Sequence, residues 1–147
     1  MKTLWLTTAM VVLAFVSAPN DALTGLPLYP GLSDPDDLPK VQICSSKMEA
    51  VMYTPVPGKK NVVIQWYTGQ LKGFRRYHGI GNDRTQDTFF NAAGTLGVTI
   101  TGTAMHLNLP GVTSDSTDVF AVTYARLTPG LPPAAMQTID TDHQVCR

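Results

Sequence analysis

The sequence lacks the short motifs that identify the common catalytic and ligand-binding classes. It has no Gly-x-Ser-x-Gly nucleophile elbow and no phosphate-binding glycine loop, and residues 79–81 are only a turn signal. It also has no Cys-x-x-Cys pair, no histidines at i, i+4 spacing and no Asn-x-Ser/Thr acceptor for N-glycosylation. We therefore expect no metal site and no cofactor, and no motif by itself names an activity.

An excess of charge of one sign is also absent. The 147 residues include 11 basic and 11 acidic side chains, and removal of Lys2 with the leader described below leaves one acid in excess. Proteins that bind nucleic acid normally present a basic surface, and those that bind anionic membranes carry a basic run. The composition therefore predicts neither kind of partner.

Long hydrophobic runs are missing except near the start. An apolar run over residues 4–16 follows a lysine and ends in small residues before Pro19, as in a secretory signal peptide. The run is too short to span a membrane. We predict a signal peptide over residues 1–18, with a cut after Ala22 as the rival and an uncleaved anchor as the alternative. The mature chain of about 125–130 residues is then one exported domain, periplasmic or extracellular, without a transmembrane segment.

Cysteine is scarce, with only Cys44 and Cys146 in the chain. In an exported protein an even number of cysteines indicates a disulfide bond. Closing a loop of about 100 residues is worth roughly 4–5 kcal/mol in the chain-entropy model. We predict a Cys44–Cys146 bridge that ties the C-terminal end to the first strand; two free thiols are the alternative.

The most informative segment is residues 59–74. Its apolar side chains recur at intervals of three and four, which is typical of one helix face. They are Val62, Val63, Trp66, Tyr67 and Leu71. Gly73 then supplies a left-handed stop. A strand is the alternative, because β-branched and aromatic residues favour strands and Gly69 costs a helix roughly 1 kcal/mol. We expect Trp66 to be the main anchor, with Trp66→Ala costing roughly 3–5 kcal/mol.

The rest of the chain predicts strands. Residues 19–40 are rich in Pro, Gly and Asp and predict an extended lead-in whose leucines and Tyr29 lie against the domain. Residues 41–54 predict one long or broken first strand. Alternation predicts a hairpin over 88–101, and residues 119–127, apolar on both faces, predict a central strand. We therefore predict an α+β domain over residues 41–147, in which one helix packs on one face of a mostly antiparallel sheet of four to five strands, followed by a Pro-rich C-terminal tail.

Two of these segments resemble a family of small exported bacterial proteins. The resemblance rests on a Tyr-Pro-Gly turn at residues 29–31 and on a helix pattern of two valines, Trp-Tyr, leucine and Gly-Phe over residues 62–74. Leu32 departs from the small residue usual after the turn. The similarity spans about residues 25–101 and implies the helix and the exported compartment. The family has no established activity, so the resemblance implies none.

The densest polar group is His78 with Arg75 and Arg76, flanked by Tyr77 and Asp83. A histidine beside two arginines can bind phosphate or carboxylate, or act as a general acid or base. The alternative is a solvated strand edge. A metal site that joined His78 to His106 and His143 is not supported by any spacing in the sequence.

Three hypotheses for function follow. The first is a non-enzymatic exported protein that acts by contact with a protein partner, as an inhibitor, an immunity protein or an envelope assembly factor. The second is a carrier of a small ligand between helix and sheet. The third is a small hydrolase or nuclease that uses His78 with Arg75 or Arg76. Export, small size and the lack of catalytic motifs favour the first, while substrate, partner identity and oligomeric state are left open.

Overall fold

The computed structural model describes residues 19–78, 86–102 and 119–137, and in these ranges the chain forms eight strands and two helices. The strands are β1 (Asp36–Asp37), β2 (Val41–Ile43), β3 (Ser46–Met52), β4 (Val56–Pro57), β5 (Arg75–His78), β6 (Gln86–Phe90), β7 (Leu96–Gly102) and β8 (Val119–Thr128). The helices are α1 (Lys60–Gln70) and α2 (Pro133–Gln137).

All eight strands belong to one antiparallel sheet with the order β1-β3-β8-β7-β6-β5. Strand β2 lies beside β3, and β4 continues the same row beside β8. The predicted mostly antiparallel sheet is confirmed, whereas the predicted α+β class with a single helix is confirmed only in part, since the described residues form two helices. The predicted count of four to five strands was too low, since the described residues alone form eight and the protein is mainly β. The added strands β1 and β4 are two-residue pairings beside prolines, which sequence patterns assign to loops.

Strand β8 lies at the centre of the sheet, as its two apolar faces predicted. It pairs with β3 along Thr123–Thr128 and with β7 along Phe120–Arg126. Phe120, Val122 and Tyr124 have no exposed surface and face α1 in the main core. The hairpin of β6 and β7 is also confirmed, with Phe89 opposite Val98.

The segment over residues 59–74 is a helix, and Gly73 adopts the left-handed conformation at φ 80° that its position predicted. The buried face differs from the expected one. Val62 is 53% exposed, whereas Ile64 is buried beside Val63. Adjacent helical residues point about 100° apart, so a buried face that contains Val63, Ile64 and Tyr67 leaves Val62 turned toward solvent. Tyr67, with no exposed surface, is the anchor that Trp66 was expected to be, and Trp66 is only half-buried.

The predicted single first strand is instead a hairpin. Strands β2 and β3 pair antiparallel, with Ile43 opposite Ser46. The chain reverses at Cys44, whose φ of 56° lies in the left-handed region. Few non-glycine residues adopt that conformation, so sequence patterns did not indicate a turn there. The predicted partner, Cys146, lies outside the described residues, and the disulfide bond stays a prediction.

A second, smaller core lies on the opposite face of the sheet. The Pro-rich segment after β8 forms α2, which was not predicted, and buries Leu131, Ala135 and Met136 against Phe90 and Leu127. The β6–β7 turn meets this segment closely. A Cβ on Gly94 would lie 2.2 Å from the Leu131 carbonyl oxygen, so the approach requires glycine.

The lead-in packs on the main core through Leu26, Leu28 and Tyr29. Its far end forms β1, which pairs with Val51 and Met52 of β3. No helix within the described ranges is long and apolar enough to cross a membrane.

Candidate functional site

The candidate site is a group of charged side chains around Asp87, which we call the Asp87 cluster; it comprises Asp87, Lys60, Arg76 and His78. Asp87 lies on β6 and only 1% of it is exposed. Arg76 and His78 are two residues apart on the neighbouring strand β5, so they point to the same face of the sheet. Lys60 reaches the cluster from the first turn of α1. In the register of β5 and β6, His78 lies directly opposite Asp87.

Three basic side chains bind the Asp87 carboxylate. Lys60 Nζ lies 2.9 Å from Oδ2. Arg76 Nη2 and Nε lie 2.8 and 2.9 Å from Oδ1, and His78 Nδ1 lies 2.7 Å from the same oxygen. Exposure rises outward, from 19% for the Lys60 side chain to 43% for Arg76 and 67% for His78. The cluster therefore has a buried acidic centre and an exposed basic rim.

The pKa of Asp87 is lowered. Burial, the largest single influence, raises the pKa of the carboxyl, but hydrogen bonds from Lys60, His78 and Arg76 together outweigh it. Asp87 is therefore held as a carboxylate whose lone pairs are already used, which makes it a poor general base. Because one carboxylate faces the permanent charges of Lys60 and Arg76, the cluster carries surplus positive charge.

Of the predicted site residues, the structure brings Arg76 and His78 together and separates Arg75 from them. Arg75 points to the opposite face of β5, where its guanidinium carbon lies 5.5 Å from the centre of the Tyr77 ring. Tyr77 in turn packs against Phe90 of the second core. Asp83, His106 and His143 lie outside the described residues. Of the two arginines proposed as partners of His78, Arg76 therefore shares its face and Arg75 does not, and β5 presents cations on both faces.

Sequence analysis missed two members of the cluster, Asp87 and Lys60. Asp87 stands between Gln86 and Thr88 at the polar start of β6, where an acid gives no local signal of burial. Lys60 lies in the first turn of α1, which has no acidic residue and no side-chain N-cap, and a lysine there opposes the helix dipole. Asp87 could have been identified as a cluster member only if the pairing of β6 with β5 had been known. No sequence pattern indicates that Lys60 lies beside them.

A second buried polar network holds the lead-in to the core and consists of Asp21, Tyr53, Tyr67 and Tyr124. Tyr53 donates its hydroxyl proton to Asp21 Oδ1 at 2.7 Å. Tyr124 donates to the Pro27 carbonyl at 2.7 Å, so it must accept the 2.5 Å bond from the Tyr67 hydroxyl. Burial raises the pKa of all three phenols, so they stay neutral donors. This network is structural, and it places Tyr67 in the core, as the apolar face of α1 predicted.

A third group of polar side chains lies apart from the Asp87 cluster and from the tyrosine network. Glu49 of β3 pairs with Arg126 Nη2 at 2.5 Å and with Lys40 Nζ at 3.1 Å. The hydrogen bond from Arg126, followed by that from Lys40, lowers the pKa of Glu49 to about 2. Because these side chains are accessible to solvent, the pairs contribute little to stability.

Metal binding has no support in the described ranges, where no three His, Cys, Asp or Glu side chains come together as ligands. Comparison of the chain with protein-family models, with curated proteins and with solved structures finds no match. The chemistry of the Asp87 cluster and of strand β5 is therefore the basis for any functional conclusion.

Proposed function

We propose that the protein is an exported, non-enzymatic protein that acts by contact with a protein partner, and that the contact is made along strand β5 with an acidic, extended segment. The observation that carries this proposal is the position of β5. Among the described strands it is the last in the sheet order, and Arg75, Arg76 and His78 are exposed on it.

An edge strand presents backbone groups that can pair with an added strand, and its side chains then decide which strand fits. On one face of β5 the added strand would meet Arg76 and His78. On the other face it would meet Arg75. Two consecutive acidic residues would place one carboxylate on each face, where both find cations, whereas basic residues would be repelled.

A synthetic peptide of Asp-Asp pairs separated by valines tests this proposal, with its Lys/Val counterpart as the control. At low ionic strength we expect fluorescence anisotropy to show binding of the acidic peptide only. Arg75→Glu should weaken binding about tenfold. Lys47→Glu, the same charge change at an exposed position of β3, should not. Equal binding of both peptides, or of both variants, would refute contact through β5.

The proposal of export also has a structural consequence for the cleavage site. Asp21 is 2% exposed, and its side chain accepts bonds from Tyr53 and from the Thr24 amide and hydroxyl. A cut after Ala22 would remove Asp21 and leave the Tyr53 hydroxyl without its acceptor. We therefore expect the cut after Ala18. N-terminal sequencing of the exported protein should begin at Pro19, and a start at Leu23 would contradict this.

A hydrolase is the second candidate, favoured by one specific observation. The His78–Asp87 bond of 2.7 Å has the geometry in which a carboxylate orients a catalytic imidazole. Against it, Asp87 is shared with Lys60 and Arg76, which draw its charge away from His78. On a broad panel of ester, phosphate and nucleic-acid substrates, turnover that His78→Ala abolishes would establish it; an inactive wild-type protein would remove it.

The carrier hypothesis gains no support from the described core. The space between α1 and the sheet is filled by Tyr67, Phe89, Val98, Phe120 and Tyr124, each at most 2% exposed. A ligand there would have to displace these side chains. Native mass spectrometry of gently purified protein tests the carrier hypothesis. A mass above that of the protein alone would show a bound ligand and support it.

A further inference from the structure

The two ends of the sheet carry opposite charge. Strand β5 at one end bears Arg75, Arg76 and His78. Strand β1 at the other end consists of Asp36 and Asp37, both exposed. From this complementarity we infer that the acidic segment that pairs with β5 is strand β1 of a second copy of this chain, so that the protein associates head to tail. The inference rests on the proposed function and names its partner.

The directions of the strands permit this association. Every step in the order β1-β3-β8-β7-β6-β5 is antiparallel, and five such steps leave β5 antiparallel to β1. A second copy placed beside β5 with the same orientation therefore continues the antiparallel alternation. No copy needs to be inverted.

The two faces of the sheet also match. Asp37 lies opposite Val51, so it shares the face that carries α1 and the main core. Arg76 lies opposite Phe89 on that same face. Asp36 lies opposite Met52 on the other face. Arg75 lies opposite Phe90, which belongs to the second core on that other face.

One register of β5 against β1 of the next copy places an acid near an arginine on both faces of the sheet. If Arg76 sits directly opposite Asp37 of the next copy, Tyr77 sits opposite Asp36, and Arg75 becomes the diagonal neighbour of that acid. Direct and diagonal cross-strand pairs are both within reach of a long side chain such as arginine. Each face of the junction then holds one acid beside one arginine.

The geometry makes the association open and weak. Because an edge-to-edge contact uses different surfaces on the two copies and the sheet twists by about 20–25° per strand, repetition gives an extending chain and not a closed pair. Pro35 and Pro39 flank β1 and limit the pairing to a few residues. A contact of this size is expected to be transient and sensitive to salt.

Sedimentation velocity of the purified protein tests the inference. At low ionic strength we expect the weight-average mass to rise about twofold or more between about 10 µM and 1 mM, and to fall back at about 0.5 M salt. Arg75→Glu should abolish the rise, since Arg75 makes no ion pair with Asp87 and its replacement leaves the cluster intact. The matched change Lys47→Glu should preserve it.

Mixing two blocked variants separates head-to-tail contact from any symmetric contact. Arg75→Glu keeps β1 intact, and the double variant Asp36→Asn with Asp37→Asn, which adds no charge that could attract Glu at position 75, keeps β5 intact. Neither should associate alone, but their mixture should form a dimer that does not extend. A mixture that stays monomeric, or a wild-type protein that is monomeric throughout, overturns the inference. If the wild-type monomer still binds the Asp/Val peptide, contact through β5 survives and the partner is a different protein.

Discussion

Replacement of Asp87 by asparagine is the most informative perturbation of the structure. The change keeps the size of the side chain and removes its charge. Lys60 Nζ, 2.9 Å from Oδ2, and Arg76, 2.8 Å from Oδ1, would then face an amide with no negative charge. The amide nitrogen is itself a donor, so one of these contacts becomes donor against donor.

The expected cost follows from the burial of each partner. Removing one member of a fully buried pair costs about 3–5 kcal/mol. Here the Lys60 side chain is 19% exposed, so its contact is only weakly screened, while Arg76 and His78 can turn to solvent. We therefore expect Asp87→Asn to lower the free energy of unfolding at pH 7 by about 2–3 kcal/mol, or the melting temperature by roughly 6–15 °C.

The effect of Asp87→Asn on stability should depend on pH. Because the pKa of Asp87 is lowered in the folded protein, its stabilisation is complete above the unfolded value of about 3.9 and is lost as pH falls through the folded value. The difference in unfolding free energy between wild type and Asp87→Asn should therefore narrow below about pH 4.

Urea melts followed by tryptophan fluorescence, at pH values from 3 to 7, measure this difference. Asp36→Asn, an exposed acid on β1, is the control and should change stability by less than about 0.5 kcal/mol. A difference at pH 7 no larger than that of the control would refute the electrostatic account of the cluster.

Further predictions concern the core. Tyr67→Ala should lower the free energy of unfolding by about 3–5 kcal/mol and Trp66→Ala by about 1–2, because only the tyrosine is fully buried; thermal melts that reverse this order would contradict the packing of α1. Tyr124→Phe should cost about 1–3 kcal/mol in urea melts, since a lead-in carbonyl loses its donor and Tyr67 its acceptor. Gly94→Ala should cost about 2 kcal/mol or more by thermal melt, because the added Cβ would lie 2.2 Å from the Leu131 carbonyl at a φ of 66°; a neutral effect would contradict the turn.

Part of the fold is visible in the sequence because it depends on local periodicity. Strand β7 alternates clearly, β8 is apolar on both faces, and the three-and-four spacing with Gly73 indicates α1 and its end. The buried face of the helix was harder to predict, because Val62 and Ile64 are equally apolar neighbours. Only the angle at which α1 meets the sheet decides that Ile64 is buried and Val62 exposed.

Other features depend on contacts between distant residues. The β2–β3 turn uses a left-handed Cys44, a conformation that sequence patterns assign to glycine or asparagine. The Asp87 cluster needs β5 beside β6 and the start of α1 above them, and it joins residues 27 positions apart in the chain. His78 and Arg76 were identified as polar candidates, but the acid that organises them was not, because an aspartate beside Gln86 and Thr88 has no sequence signature of burial.

The central claim is that β5 is the contact surface, and a ¹H–¹⁵N spectrum recorded during titration with the Asp/Val peptide tests it most directly. The account predicts that the largest shift changes fall on the amides of Arg75 to His78 and on their partners in β6, and that Arg75→Glu suppresses them. Changes concentrated on α1 or at the β1 end, with β5 unaffected, would contradict it.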